Sequence, residues 1–182
     1  INTSGLILIT NDGELANRLM HPSSEIEREY AVRILGEVTD EDVSQLRAGV
    51  ILDDGVAKFD KISYIGGQGA NHWYHVTLKE GRNREVRRMW ESLGITVSRL
   101  SRIRYGDIQL PRGQKPGRWE ELEEKEMYQL YESVGLKVEK QETDQRGRPV
   151  IQRLQHKRGS KHLLMPDNKR KPRQKQYWKK PK

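Results

Sequence analysis

The sequence predicts an α+β domain with a mainly antiparallel, mixed sheet flanked by short helices, followed by a basic tail. Five or six β-prone segments alternate with three or four short helical patterns, and several of the segments are joined as hairpins. The apolar pattern ends at about Gly135, where the composition shifts to Lys, Arg, Gln and Pro. We therefore predict a folded domain over residues 1–135 and a low-complexity, disordered tail over residues 136–182.

The predicted domain begins with a strand and a helix. Residues 6–10 are a continuous β-prone apolar run that is short enough for a buried strand. A turn follows, and Asp12 is placed to cap a helix over residues 14–20. Leu15 and Leu19 lie four residues apart in this helix, so both are expected to face the core.

A second strand over residues 30–35 precedes a second helix, which runs to about Ala48. Thr39 and Asp42 have the spacing of a capping box at the start of this helix. Gly49 stands where a left-handed C-cap belongs.

The middle of the domain is a predicted hairpin. Residues 53–55 form a turn, and strands over residues 58–65 and 72–78 flank a glycine-rich loop at 66–69. In the second of these strands two sets of residues alternate with period two, which is typical of a half-buried sheet. The two sets are Trp73, His75 and Thr77, and Tyr74, Val76 and Leu78.

The domain ends with a helix over residues 84–93, a strand over 96–103 and an acidic helix over 119–134. Four apolar residues of the first helix recur at helical spacing and predict that one of its sides is core. They are Val86, Met89, Trp90 and Leu93. We also interpret Trp73 and Trp119 as core or core-edge residues.

Charge is distributed unevenly. The net charge is +8, but residues 136–182 carry 16 basic and four acidic side chains, whereas residues 1–135 carry 18 basic and 22 acidic ones. Within the domain, residues 81–118 carry ten basic and three acidic side chains. Such a stretch in an acidic domain suggests a face aimed at a nucleic acid. The alternative is a set of solvated arginines paired with surface acids.

The composition excludes several kinds of site. The chain has no cysteine, so it can form neither a disulfide framework nor a thiolate metal site. No run approaches 18 apolar residues, so we expect no membrane-spanning segment and a cytoplasmic protein. His21, His72 and His75 lack a metal-ligand spacing and are interpreted as structural, so no metal site is predicted.

Three stretches carry a family resemblance when they are taken together and in order. They are residues 2–13 (NTSGLILITNDG), residues 29–32 (EYAV) and residues 80–89 (EGRNREVRRM). They resemble the ribosomal RNA pseudouridine synthases, most closely the synthase B type that modifies large-subunit RNA, over about residues 1–133. The resemblance implies the pseudouridine synthase fold and the isomerisation of uridine to pseudouridine in ribosomal RNA. It also implies a monomer that needs no cofactor.

The resemblance also bears on the nucleophile. In that family the first motif normally reads Gly-Arg-Leu-Asp, two further residues, Thr or Ser, one more residue and Gly-Leu. Ile1 and Asn2 correspond to the two residues after the aspartate, so the nucleophilic aspartate would immediately precede Ile1. Asp12 lies in the turn beyond the strand and does not replace it. The resemblance thus implies an enzyme by family, and an inactive protein when this chain stands alone.

Two residues match active-site positions of the family. Tyr30 corresponds to the tyrosine that stacks on the flipped-out target base and could help to remove its C5 proton. The alternative is a strand tyrosine packed in the sheet. Arg87 corresponds to the arginine that pairs with the nucleophilic aspartate and keeps it ionised and oriented. The alternative is a helix-surface arginine bonded to Glu91.

RNA contacts are implied for three further groups. They are the loop that follows the aspartate, the start of the helix over residues 84–93, and the end of the strand over residues 96–103. The predicted RNA-binding residues are Asn2, Thr3, Ser4, Arg82, Asn83, Arg84, Arg88, Arg102 and Arg104. For each residue at the start of the helix, the alternative is a side chain that is merely solvated.

Two other functions remain open from the sequence. The chain could be a non-catalytic ribosomal RNA-binding module that has lost its nucleophile. It could also be a ribosome-assembly factor that binds RNA mainly through the basic tail.

Overall fold

The computed structural model describes residues 3–137 of the 182-residue chain. The predicted tail over residues 136–182 lies almost entirely outside the described residues, as do Ile1 and Asn2. The strands are β1 (Thr3–Gly5), β2 (Arg28–Leu35), β3 (Val50–Leu52), β4 (Gly55–Ala57), β5 (Lys61–Gln68), β6 (Asn71–Leu78), β7 (Thr96–Tyr105) and β8 (Ile108–Gln109). The helices are α1 (Gly13–Met20), α2 (Asp40–Ala48), α3 (Glu85–Glu91) and α4 (Glu124–Ser133).

Six of the strands form one mixed sheet. Its order is β1-β7-β2-β6-β5, and β8 pairs with β7. The pairs are antiparallel except for β1, which runs parallel to β7. β3 and β4 form a separate antiparallel hairpin. The predicted α+β class with a mainly antiparallel, mixed sheet is therefore confirmed.

The main core lies between one face of this sheet and helices α2 and α3. The predicted alternation holds in β6 as far as Val76: Tyr74 and Val76 are buried and Trp73 is only half-buried, whereas Thr77 of the other set is buried as well. Trp90 is fully buried, as predicted, with its ring 5.5 Å from that of Tyr74. Trp119 is 77 % exposed, so its interpretation as a core residue is wrong. It lies before the start of α4, in a segment without regular structure.

Residues 6–10 do not form the predicted buried strand. Their main-chain pairing with β7 ends at Arg102, because beyond it β7 pairs with β8 and Ile103 accepts the N–H of Leu110. Ile7 and Ile9 are consequently 72 % and 85 % exposed. These residues are apolar, but they cannot extend β1 because β8 already pairs with the part of β7 beyond Arg102.

Two predictions for the middle of the chain also change. The glycine-rich stretch at residues 66–69 is mostly strand, because β5 continues to Gln68. Gly67 is required there, since a Cβ would clash with the carbonyl oxygen of Asn71. The turn predicted at residues 53–55 is confirmed at 53 and 54, and Gly55 already belongs to β4; the turn joins two strands, β3 and β4, that were not predicted. Strands of three residues are too short to show a periodic pattern.

The first two helices begin as predicted. Asp12 accepts the backbone N–H groups of Glu14 and Leu15, at 2.9 and 3.1 Å. Thr39 and Asp42 form the predicted capping box of α2. Gly49 has φ of 120° and ψ of 137°, so it is not the left-handed C-cap that was predicted.

The last two helices are shorter than predicted. α3 begins at Glu85, because Arg84 has a left-handed φ of 49°. α4 begins at Glu124 rather than near residue 119, behind a capping box formed by Glu123 and Glu126. Among the helices that the structure describes, none has both the length and the apolar character that spanning a membrane requires.

A second apolar cluster joins α1, α4 and β8, and it buries Leu15 and Leu19 as predicted. The hydroxyl of Tyr131 donates to Asp12 Oδ2 at 2.8 Å and so ties α4 to the cap of α1. The N–H of Leu15 and this hydroxyl hold the pKa of Asp12 below its ordinary value of 3.8.

The Asp12→Asn variant should therefore be less stable than the parent near neutral pH, with a difference that fades in acid. A carboxyl whose folded-state pKa is lowered adds stability above its unfolded pKa, and this stability is lost as pH falls through the folded pKa. We expect the urea midpoints of variant and parent to differ at neutral pH and to converge below the ordinary value of 3.8. Asp60→Asn, in an exposed loop, is the control; an equal effect of the two substitutions would contradict the capping role.

Candidate active site

A cleft of about 240 Å³ opens where β1, β2 and β7 meet the segment that leads into α3. Its lining combines apolar strand residues with charged residues from both sides of the start of α3. The lining residues are Thr3, Tyr30, Leu78, Glu80, Gly81, Arg82, Arg84, Glu85, Val86, Arg87 and Leu100. This volume lies just below the usual range of ligand pockets.

Tyr30 lies in the middle of the sheet, on β2, opposite Val76 of β6 and Arg102 of β7. Its ring packs partly against the main core and partly lines the cleft. Within residues 3–137 no hydrogen bond engages its hydroxyl group. The side chain therefore offers an aromatic surface and a free hydroxyl to a bound molecule.

Arg87 is 8 % exposed and lies between α3 and the two strands β7 and β1. Its Nη1 donates to the carbonyl oxygen of Val97 at 2.7 Å, and its Nη2 donates to Thr3 Oγ1 at 3.3 Å. Glu91 pairs instead with Arg84, at 3.6 Å. The alternative of a helix-surface arginine bonded to Glu91 is therefore wrong. The guanidinium is buried at the start of β1.

Arg82 and Glu85 form a charged pair in the wall of the cleft. Glu85 is 4 % exposed and accepts both the backbone N–H and the Nε of Arg82, at 3.0 and 3.1 Å. Burial raises the pKa of Glu85, and the bonds from Arg82 oppose this shift. Arg82 also pairs with Glu80 at 2.7 Å. Both carboxylates of the cleft are thus held by the same arginine.

The other predicted RNA-binding residues are dispersed. Arg84 lines the cleft mouth with an exposed side chain, whereas Asn83 is exposed but does not line the cleft. Arg88 pairs with Asp53 and Asp54 of the β3–β4 turn.

The two arginines of β7 are engaged inside the domain. Arg102 donates to the carbonyl oxygen of Leu6 at 2.8 Å. Arg104 pairs with Glu29 and Glu27, at 2.8 and 3.1 Å.

The structure thus brings Thr3, Tyr30, Arg82, Arg84 and Arg87 to one cleft. Ser4, Asn83, Arg88, Arg102 and Arg104 do not line it, and Asn2 lies outside the described residues.

The site residue that the sequence reasoning missed is Glu85. It lies inside the third motif, and a carboxylate between arginines was a signal of its pairing. Over residues 3–137 no cluster of His, Asp and Glu side chains could hold a metal ion.

The chain is similar to known proteins of one family. The sequence model of the family described as RNA pseudouridylate synthase matches residues 1–92. The chain is 62 % identical over 139 residues to the ribosomal large subunit pseudouridine synthase B of Yersinia pestis. It is 58 % identical over 139 residues to the protein of the same name from Escherichia coli (strain K12).

These matches cover 76 % of this chain but only 44 % and 48 % of the two relatives. The chain therefore spans less than half the length of these proteins. A crystal structure of a pseudouridylate synthase superposes with a TM-score of 0.60 at 26 % identity, over 69 % of this chain and 54 % of that one. The family match, which covers half of the chain, and the shared fold lead to one conclusion: this chain belongs to the RNA pseudouridylate synthase family.

Proposed function

We propose that the protein of which this chain is part converts uridine to pseudouridine in large-subunit ribosomal RNA. The two relatives, which match 76 % of this chain, carry that activity in their names. The reaction breaks the N1–C1′ bond of the nucleotide, turns the base and joins C5 to C1′. The C5 proton is released to a base and N1 gains one, so the step needs no electron donor or acceptor.

The observation that carries this proposal is the place of Arg87 beside the start of β1. Its guanidinium bonds Thr3, which is three residues after the position where the family motif places the nucleophilic aspartate. Three residues span at most about 10 Å of extended chain. An aspartate directly before Ile1 can therefore reach the cation, which would keep it ionised at neutral pH and aimed into the cleft.

The remaining roles follow from exposure and charge. We propose that Tyr30 stacks on the flipped uracil and that its hydroxyl takes part in removing the C5 proton. Asn2, Thr3 and Ser4 would contact the ribose and phosphate of the target. Arg84, whose side chain is 60 % exposed, is the best placed of the arginines for a phosphate at the cleft mouth. Asn83 would extend the RNA contact outside the cleft, and Arg102 and Arg104 would do so only by exchanging their present bonds to Leu6, Glu27 and Glu29.

The test compares this chain with a version extended upstream through Gly-Arg-Leu-Asp and the strand before it. Pseudouridine is measured in a large-subunit ribosomal RNA transcript by base-specific chemical detection. We expect that only the extended protein converts uridine. Its Asp→Asn variant at the restored position should bind the RNA without converting uridine.

Two outcomes would contradict the proposal. If neither protein converts uridine while both bind the transcript, the chain is a non-catalytic RNA-binding module. If the Asp→Asn variant retains full activity, the nucleophile lies elsewhere, and the assignments of Tyr30 and Arg87 would lose their basis.

A further inference from the structure

Arg82 connects the cleft to the β3–β4 hairpin, residues 50–57. On the cleft side its Nε contacts Glu80 and Glu85, at 2.7 and 3.1 Å. On the hairpin side its Nη1 contacts Asp54 Oδ1 at 3.1 Å, and its Nη2 donates to the carbonyl oxygen of Val56 at 2.6 Å. One guanidinium therefore holds the hairpin at the rim of the cleft.

Arg88 provides a second attachment from the same segment. It pairs with Asp53, and its Nη2 contacts Asp54 Oδ2 at 2.6 Å. Asp54 is thus shared by two arginines, Arg88 on its Oδ2 and Arg82 on its Oδ1. The bond from Arg88, with a smaller contribution from Arg82, holds the pKa of Asp54 below its ordinary value.

The sequence predicts Arg82 and Arg88 as RNA-binding residues. In the structure both guanidinium groups already pair with carboxylates. Their side chains are only 20 % and 21 % exposed, and each already contacts at least two carboxylates. Exchanging these carboxylates for a phosphate would replace one set of charge-assisted hydrogen bonds by a similar one, with little net gain. Their present bonds instead fix the position of the hairpin.

The hairpin carries an exposed apolar pair of residues, and it is joined through Arg82 to a cleft that none of residues 50–57 lines itself. Val50 and Ala57 are buried and anchor it in the main core. Ile51 and Val56 are directly paired across the two strands and are 84 % and 63 % exposed. Exposed apolar side chains on a fixed support are suited to shape-dependent contact with a sugar or base edge.

We propose that the β3–β4 hairpin is a specificity-determining wall of the RNA site, held in place by Arg82 and Arg88 through Asp54. The hairpin contacts the RNA next to the target uridine, so it selects which uridine enters the cleft. This inference rests on the proposed function, because the RNA it describes is the substrate of the same cleft. Asp54 acts through the hairpin and is a positioning residue.

The test uses the extended protein with Asp54→Asn, which is nearly isosteric and weakens both attachments. The kcat/KM for pseudouridine formation is measured on the target transcript and on one in which the target uridine is moved to a neighbouring position. We expect kcat/KM on the target to fall about tenfold or more, and discrimination between the two transcripts to fall with it. Total RNA affinity should change by less than about threefold. Asp60→Asn, an equal change of charge in an exposed loop, is the matched control.

A second variant, Ile51→Ser, tests the contact surface itself. Because Ile51 is largely exposed, this change should leave the fold intact and still lower kcat/KM on the target. Unchanged discrimination in both variants would overturn the inference. A second result would also overturn it: Asp54→Asn raises RNA affinity and makes that affinity more salt-dependent, while kcat/KM on the target transcript does not fall. Arg82 and Arg88 would then be phosphate ligands whose charge is neutralised by the carboxylates in the parent protein. Failure of the proposed function is distinct, because the extended protein with native Asp54 would then form no pseudouridine.

Discussion

Replacing Arg87 with Gln in the extended protein is expected to lower kcat/KM for pseudouridine formation about a hundredfold to a thousandfold. The acid limb of the pH–rate profile should also move to higher pH, by about one unit or more. The reason is the place of Arg87 beside the start of β1, where its Nη2 lies 3.3 Å from Thr3 Oγ1. A cation next to a carboxylate lowers the pKa of that carboxylate. Without the cation, a larger fraction of the nucleophile is protonated and unable to attack the ribose.

The pH profile separates this role from a structural one. Arg87 also donates to the buried carbonyl oxygen of Val97, so its loss should cost about 1–3 kcal/mol in the free energy of unfolding, measured by urea titration. Lower stability alone would reduce the amount of folded enzyme but would not move the acid limb. Arg87→Lys restores the charge and should return the acid limb towards that of the parent, with only partial recovery of rate.

Arg112, an exposed arginine outside the cleft, is the control for Arg87. Arg112→Gln removes the same charge and should leave both the rate and the pH profile unchanged. If Arg87→Gln behaved like Arg112→Gln, Arg87 would not belong to the active site.

The features that the sequence predicted correctly depend on neighbours close along the chain. The cap of α1 by Asp12 and the capping box of Thr39 and Asp42 are set within three residues of sequence. The same holds for the alternation along β6, because a strand in a sheet with one buried face must alternate. These patterns sufficed to predict the fold class.

The incorrect predictions involve partners that are distant in sequence. Whether residues 6–10 pair depends on β8, about 100 residues later, which occupies the edge of β7. For Arg88 the RNA contact stays a prediction, but the alternative of a merely solvated side chain is wrong, because Asp53 and Asp54 pair with it from 35 and 34 residues away. Local patterns cannot show which of many surface acids a given arginine will meet. In the cleft, the resemblance of the motifs predicted Tyr30 and Arg87 as site residues. The burial of Glu85 and its pairing with Arg82 became visible only in the folded structure.

Replacing Tyr30 with Phe in the extended protein should lower kcat about a hundredfold or more while RNA affinity changes less than about twofold. The hydroxyl of Tyr30 has no hydrogen-bond partner within residues 3–137, and the residue lines the cleft. Phe keeps the ring that stacks on the base and removes only the group proposed to act on the C5 proton. The measurement is a single-turnover assay with RNA that carries tritium at C5 of the target uridine, because that hydrogen must leave when C5 joins the ribose.

Tyr30→Leu separates stacking from proton transfer, because it removes the aromatic ring as well. Loss of one base–aromatic contact corresponds to about 1–3 kcal/mol, so RNA affinity should fall about tenfold in addition to the loss of rate. Tyr64→Phe is the control, since Tyr64 is 57 % exposed on β5 and its hydroxyl bonds His72 rather than the cleft. If Tyr30→Phe released tritium at the parental rate while Tyr30→Leu bound RNA weakly, the ring alone would be functional. The C5 proton would then have to be transferred to another base in the cleft. The carboxylate of the restored aspartate, released from the ribose when C5 joins it, is one such base.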